Sequence, residues 1–404
     1  MPQTALPTSR RGHDAPPSPI RKLEPSAQAA EGRGVRIYHL NIGQPDIPTA
    51  PRFLANARQD EGGVLAYGPS AGLYPLRAAM AEYYLRLGLP ITDADLVITT
   101  GGSEALLFAL MAIADPGDEI VTLAPFYPNY NGFAVMAGVL LRTIPTSIDA
   151  AFALPPIGAF EDAVTPRTRA ILLCNPGNPT GALYPAEALR QIVDLAHRRG
   201  LFVVADEVYR EFVYDGKPPS SILQVAGAED VTIVVDSTSK RLSACGARIG
   251  VLATKHREVL DTAVRFAQTR LSAPVLEQQG ALAALTDPGV SAFIEDCGRE
   301  YQRRRDVALA ALSRIPGVFT PRPGGAFYLM VRLPVRSADD FCRWLLDSFA
   351  SDGETVMLAP GSGFYLTAEE GADQVRLAYV LGPAPLSRAI AILGEALDVY
   401  PGRL

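Results

Sequence analysis

Short apolar runs that each break into a polar motif set the strongest limit on how this chain can fold. Val231-Thr-Ile-Val-Val235 delivers Asp236-Ser-Thr-Ser-Lys240, and Arg248 follows the lysine. Arg169-Ala-Ile-Leu-Leu-Cys174 runs into Asn175-Pro-Gly-Asn-Pro-Thr-Gly181, and Leu201-Phe-Val-Val-Ala205 into Asp206-Glu-Val-Tyr209. Leu96-Val-Ile-Thr-Thr100 and Glu119-Ile-Val-Thr-Leu123 have the same texture. Brief β-branched runs read as buried strands. Between them the pattern predicts helices over Ser103–Ile113 and over Ala186–Arg199, the second stopped by Gly200. This alternation predicts an α/β fold: a large α/β/α domain over residues 61–286, built on a mainly parallel mixed sheet. Ligands of such sheets bind beyond the C-terminal strand ends, which is where the polar motifs fall.

After Asp287 the texture changes. A long charged helix (Val290–Arg314) leads to Pro323-Gly-Gly-Ala-Phe-Tyr-Leu-Met-Val331 and further short elements. Residues 18–60 and 287–404 together are expected to form a smaller α+β domain. With 404 residues the chain has room for both. Residues 1–17 carry Pro2, Pro7, Pro16 and Pro17 with no apolar run, so a disordered extension is expected there rather than a signal peptide. Asp14 and the prolines also argue against an amphipathic transit helix. Net charge is −6, which gives no basic footprint for nucleic acid. No apolar stretch reaches the roughly 18–20 residues that span a bilayer. Cys174, Cys245, Cys297 and Cys342 show no paired spacing. Reduced thiols in the cytoplasm are expected, with neither a disulfide framework nor a metal site.

Each polar motif has a chemical and a plain reading. Gly101-Gly-Ser-Glu-Ala105 opens a helix after a strand, which suits a phosphate dianion at Gly102 and Ser103, or is simply an N-cap turn. Asp206 after an apolar run is costly unless paired, so it pairs with a pyridinium nitrogen or caps the next helix. Tyr209 reaches a ring oxygen or is a packing tyrosine. In Asn175–Gly181, Asn178 donates to that oxygen or serves a structural Asn-Pro turn. Lys240 stands after Ser237 and Ser239 and before Arg248, a setting that lowers a lysine's pKa, whereas an isolated lysine is a surface charge. Arg376 lies on an alternating strand, Asp373–Tyr379, where it either grips a carboxylate or faces solvent. Together a lysine, an aspartate, a tyrosine and an asparagine just past strand ends are the parts that hold pyridoxal 5′-phosphate.

With these residues assembled, the chain resembles the class I/II aminotransferases, the aspartate aminotransferase-like branch of fold-type I pyridoxal-phosphate enzymes. The resemblance runs from about Ser18 to the C-terminus. It rests on Leu40-Asn-Ile-Gly-Gln-Pro-Asp46, Tyr67-Gly-Pro-Ser-Ala-Gly72, Gly101–Glu104, Asn175–Gly181, Asp206–Tyr209, Ser237–Lys240 with Arg248, Pro323–Tyr328 and Arg376. It implies that Lys240 binds the cofactor and shuttles the Cα proton, that Asp206 pairs with the ring nitrogen, and that Asn178 and Tyr209 hold the ring oxygen. Gly102, Ser103, Ser237 and Arg248 are then the phosphate ligands, with Tyr67 reaching the phosphate of a neighbouring subunit. Tyr127 stacks on the ring, and Arg376, Asn178 and the Gly43 backbone take the substrate carboxylate. A homodimer with shared active sites is also implied.

This chain departs from the family pattern in places. Ser103 stands where some prokaryotic relatives place a lysine that reads a distal carboxylate, Tyr127 replaces a more usual tryptophan, and Arg241-Leu242 replaces Thr/Ala-Phe. Arg270 lies two residues past the usual position of a dicarboxylate-binding arginine, and is expected to bind a side-chain carboxylate across the dimer interface. The expected activity is ping-pong transfer of an amino group from an L-amino acid, foremost aspartate, to a 2-oxo acid, foremost 2-oxoglutarate. Alternatives on the same scaffold are an aminotransferase for aromatic or neutral amino acids and a carbon–sulfur β-lyase.

Overall fold

The computed structural model describes residues 8–57, 63–367 and 369–404. Its strands are β1 (Arg36–His39), β2 (Leu96–Thr100), β3 (Glu119–Ala124), β4 (Leu140–Pro145), β5 (Thr168–Cys174), β6 (Phe202–Asp206), β7 (Thr232–Ser237), β8 (Ile249–Ala253), β9 (Tyr328–Arg332), β10 (Glu354–Met357), β11 (Ala359–Pro360) and β12 (Gln374–Ala378). Seven of them form one sheet in the order β2-β8-β7-β6-β5-β3-β4, in which β8 is antiparallel to both neighbours and every other pairing is parallel.

The near-continuous apolar runs are explained by burial on both faces. Successive side chains point to opposite sides. Ile98, Val121, Ile171, Val203 and Val234 join a core with helices Tyr74–Arg86, Ala186–Arg199 and Val275–Leu285. Their neighbours Val97, Ile120, Leu172, Val204 and Ile233 join another with helices Gly101–Ile113 and Arg257–Arg270. The result is the α/β/α sandwich expected. In register, Cys174 pairs with Asp206 and Asp206 with Val235, so the ends of β5, β6 and β7 lie side by side.

A third core gathers Leu329, Val331, Phe341, Leu345, Val375, Leu377 and Ile390. It unites the antiparallel sheet β11-β12-β9 with helices Ala338–Asp347 and Pro383–Val399. β1 pairs in parallel with β10, which ties the N-terminal segment to the C-terminal half. Leu40 extends this tie, donating to Met357 O at 2.9 Å and accepting from Ala378 N at 2.8 Å. The loop Asn41–Gly43 therefore emerges next to β12.

Local differences from the sequence reading have simple causes. Lys240, expected just past a strand end, sits on a short helix, Thr238–Arg241, because the Ser237 side chain caps it by accepting from Ser239 N. Asp206 is the last residue of β6, not the first of the following loop. Part of the extension expected to lack structure, Arg10–Asp14, is a one-turn helix capped by Ser9, while residues 1–7 lie outside the described ones. All four cysteines are free thiols. No helix among the described residues is long and apolar enough to cross a membrane.

Candidate active site

The polar strand ends open into a cavity of about 270 Å³. At one end is the start of helix Gly101–Ile113, which no side chain caps. The first N–H groups of a helix lack internal partners and carry the positive end of its dipole. Arg248 stands over this start: a Cβ on Gly101, whose φ is +75°, would lie 2.2 Å from Arg248 Nη2. Arg248 itself is in the left-handed region at φ 56°, and its recorded hydrogen bond runs from Nη1 to Cys245 O at 3.2 Å. Backbone strain of this kind is typically held by surrounding structure at functional sites. Gly102, Ser103 and Ser237 line the same end. The Ser237 hydroxyl is engaged by Ile249 O at 2.9 Å and Ser239 Oγ at 2.8 Å. This end can hold a dianion.

Asp206 is only 7% exposed and has no ion-pair partner among the described residues. Burial pushes its carboxyl up to about 6, against a 2.6 Å hydrogen bond from Tyr130 Oη that holds it down. Tyr127 lines the cavity beside it, its hydroxyl accepting from Asn129 Nδ2 at 2.8 Å. Tyr209 is buried, with its hydroxyl 2.8 Å from that of Tyr328, and burial raises the pKa of both phenols.

Arg376 is buried on β12, stacked over Tyr328 and Phe364. Its Nη1 donates to Asn178 Oδ1 at 3.0 Å and its Nη2 to Asn41 O at 2.6 Å, while Nε has no partner. No carboxylate pairs with it among the described residues, and burial lowers its pKa. A buried guanidinium without a counter-anion is an anion receptor. In the same cavity, Lys240 Nζ donates to Gly43 O at 2.7 Å, and burial lowers the lysine's pKa. A Cβ at Gly43 would strike Tyr328 Oη at 1.8 Å, so only glycine brings this carbonyl in.

Eleven of the residues expected from sequence thus meet in one cavity: Gly43, Gly102, Ser103, Tyr127, Asn178, Asp206, Tyr209, Ser237, Lys240, Arg248 and Arg376. Tyr67 and Arg270 are elsewhere. Tyr67 is 80% exposed. Arg270 donates to Ile98 O at 3.0 Å and lies 3.4 Å from Glu104 Oε2, which itself accepts from Thr100 N at 2.8 Å. In this chain Arg270 braces the junction of β2 with its helix.

Sequence reasoning passed over Tyr130, which the Tyr127–Pro128 turn and helix Asn129–Ala137 aim at Asp206. It also passed over the buried charges around Asp236. Asp236 accepts from Arg210 Nη1 at 2.9 Å, Tyr84 Oη at 2.8 Å and Arg241, and Glu211 lies 3.3 Å from Arg241 Nε. Burial alone would raise Asp236, but Arg210 and Arg241 hold it well below the carboxylate range. Burial pushes Glu211 up to about 7, opposed by Arg241. Charged residues directly flanking apolar strand ends were the available signal.

A buried lysine that shares one cavity with an anion receptor, an uncompensated carboxylate and a dianion cradle defines a pyridoxal-phosphate enzyme of the fold-type I class. Residues 35–391 match the model of the family "Aminotransferase class I and II", and the chain belongs to it. It is 31% identical over 397 residues to a probable aspartate/prephenate aminotransferase of Thermus aquaticus, covering 94% of this chain and 98% of that one. It is 32% identical over 390 residues to aromatic-amino-acid aminotransferase 2 of Thermococcus litoralis, covering 94% and 96%. The solved aspartate aminotransferase from Thermus thermophilus with maleate superposes with a TM-score of 0.86 at 30% identity, over 97% of this chain and all of that one. The family's cofactor is pyridoxal 5′-phosphate, and the residues fit it: buried Asp206 lacks a cationic partner that a pyridinium N–H supplies, and the helix start under Arg248 suits the phosphate.

Proposed function

We propose that this aminotransferase moves the amino group of L-aspartate to 2-oxoglutarate by a ping-pong mechanism. The observation that carries the reading is one cavity lined by the Lys240 amine, the buried Arg376 guanidinium and the buried Asp206 carboxylate, the last two without an ion-pair partner among the described residues. Pyridoxal phosphate, when bound, supplies a carbonyl that the amine can join and a ring that draws electrons from Cα. Asp206 keeps the ring nitrogen protonated, and Tyr130 keeps Asp206 ionised. Gly102, Ser103, Ser237 and Arg248 take the phosphate, Asn178 and Tyr209 the ring oxygen, and Tyr127 the ring face. Arg376 and Asn178 orient the substrate carboxylate so that the Lys240 amine meets the Cα proton. Such positioned proton transfer contributes about 10²–10⁴-fold.

The aspartate assignment is supported by the Thermus relatives, an aspartate/prephenate and an aspartate aminotransferase. The Thermococcus relative favours aromatic donors as the second reading. Exposed Val64, Leu65 and Tyr67 fit a homodimer in which Tyr67 serves the neighbouring site. Arg270 can read a distal carboxylate there only with Nη1, which has no partner among the described residues, since Nη2 and Nε face Ile98 O and Glu104. The same reading divides the chain into a large unit at 61–286 and a small one at 18–60 with 287–404, and places the enzyme in the cytoplasm.

The test is the absorbance of the loaded protein titrated with amino acids. Conversion to the amino form of the cofactor by aspartate and glutamate at low concentration supports the proposal. Conversion by aromatic or neutral amino acids alone replaces the substrate. An unchanged cofactor with pyruvate released from cysteine-type substrates replaces transfer by β-elimination.

A further inference from the structure

Lys240 has a neighbour that the transfer chemistry above does not use. Cys245 Sγ lies 3.6 Å from its Nζ, on the first residue of the tight turn Cys245–Ala247, in the wall of the same cavity. The thiol is fixed from behind. Cys245 Sγ donates to Ser239 O at 3.3 Å, Cys245 O accepts from Arg248 Nη1 at 3.2 Å, and Ala244 N donates to Ser239 O at 3.0 Å. The other three thiols are placed differently: Cys297 and Cys342 are buried in the small-sheet core, and Cys174 donates to Pro176 O. An ammonium carries three donors. Gly43 O takes one, and the sulfur is the other acceptor that the described residues bring to it.

We infer that Cys245 is a positioning residue: its sulfur and the Gly43 carbonyl form a seat that keeps the Lys240 ε-amine aimed at the cavity whenever the amine is not bonded to the cofactor. The inference rests on Lys240 being the cofactor lysine. Sulfur suits the task because it is a weak acceptor on a long bond. It reaches the amine without backbone movement and releases it at low cost. The remaining groups near the amine are the guanidiniums of Arg248 and Arg376 and the rings of Tyr209 and Phe327, while the Tyr127 and Tyr328 phenols and the Asp206 carboxylate line the same cavity. The two guanidiniums oppose a charge on the amine and the sulfur favours it. Removing the sulfur therefore moves the amine's titration to lower pH.

The experiment measures acylation of Lys240 by an amine-reactive ester against pH, read by peptide mass spectrometry on the full chain stripped of pyridoxal phosphate. The exposed Lys217 serves as internal reference. Cys245→Ala is expected to lower the Lys240 midpoint by about half a pH unit, which is ~3-fold faster labelling below the midpoint. Cys245→Ser, which keeps an acceptor on a shorter bond, falls between. In the loaded enzyme Cys245→Ala lowers kcat with little change in KM. A Lys240 midpoint in Cys245→Ala equal to that of the unsubstituted chain overturns the inference, as does an equal shift in the alanine and serine variants. Borohydride reduction of the loaded protein reports separately on the function: a reduced cofactor not attached to Lys240 removes the proposed function, whichever way the acylation result falls.

Discussion

Asp206 and Arg376 bear opposite charges that no described ionic partner cancels, and both are buried. Replacing Arg376 by lysine removes the forked, carboxylate-matching donor while keeping the charge. KM for the amino acid is expected to rise about 100-fold, roughly 2.7 kcal/mol, with kcat changed less. Steady-state kinetics check it. Asp206 gives a pH prediction. With its carboxyl raised to about 6 it is ionised above that pH and neutral below it, so cofactor uptake by the stripped chain weakens as pH falls through 6. Tyr130→Phe removes the hydrogen bond that favours the ionised form, so the uptake midpoint moves up. Cofactor fluorescence titrations at several pH values measure both. An uptake curve in Tyr130→Phe that coincides with the unsubstituted one contradicts the assignment of Tyr130.

At the scale of elements, the cradle depends on two close backbone approaches. A Cβ at Gly250 would lie 2.2 Å from the backbone carbon of Gly101, whereas a Cβ at Gly101 meets the end of the Arg248 side chain. Backbone cannot yield as a side chain can. Gly250→Ala is therefore expected to unfold or fail to accumulate, and Gly101→Ala, strained by a φ of +75° but opposed only by a side-chain end, to fold with lowered stability and with cofactor affinity reduced about tenfold or more through a displaced guanidinium. Thermal melts and cofactor titration separate the two. Much of this level was legible beforehand. The strands ending at Cys174, Asp206 and Ser237 announced themselves by composition, and parallel pairing obliges their ends to converge. Tyr328 and Cys245 were not legible as site groups, because their contacts come from Gly43, Tyr209 and Lys240, distant in sequence or across a turn. Arg241 read as a departure from a family pattern, and only the packing turned it into the counter-charge of Asp236.

At the scale of the molecule, the buried charges around Asp236 set a pH dependence of stability. Glu211 titrates near 7 when folded and near its ordinary 4.5 when unfolded. A raised carboxyl destabilises the fold once ionised, so stability falls as pH climbs from the unfolded value through 7 and is then constant. The penalty is on the order of 3 kcal/mol. Glu211→Gln mimics the neutral form and is expected to be more stable than the unsubstituted chain above pH 7, with the difference vanishing below pH 4.5. Urea unfolding at pH 4.5 and 8 tests this. Association has its own test: mixing Lys240→Ala with Tyr67→Ala subunits is expected to yield hybrid dimers with one intact site, recovering activity that neither parent has.

The antiparallel strand β8 also governs when the site can exist. Among the described residues β2 has no sheet neighbour except β8, with Leu96 opposite Ala253 and Thr100 opposite Ile249. Closing so long a span carries a loop entropy that no local contact offsets, and pairings of this separation form late. As the chain leaves the ribosome, β3, β5 and β6 can assemble while the Gly101 turn still lacks Gly250 and Arg248. A nascent chain is therefore blind to its cofactor through more than half of its synthesis, and capture of the cofactor marks the completion of the sheet.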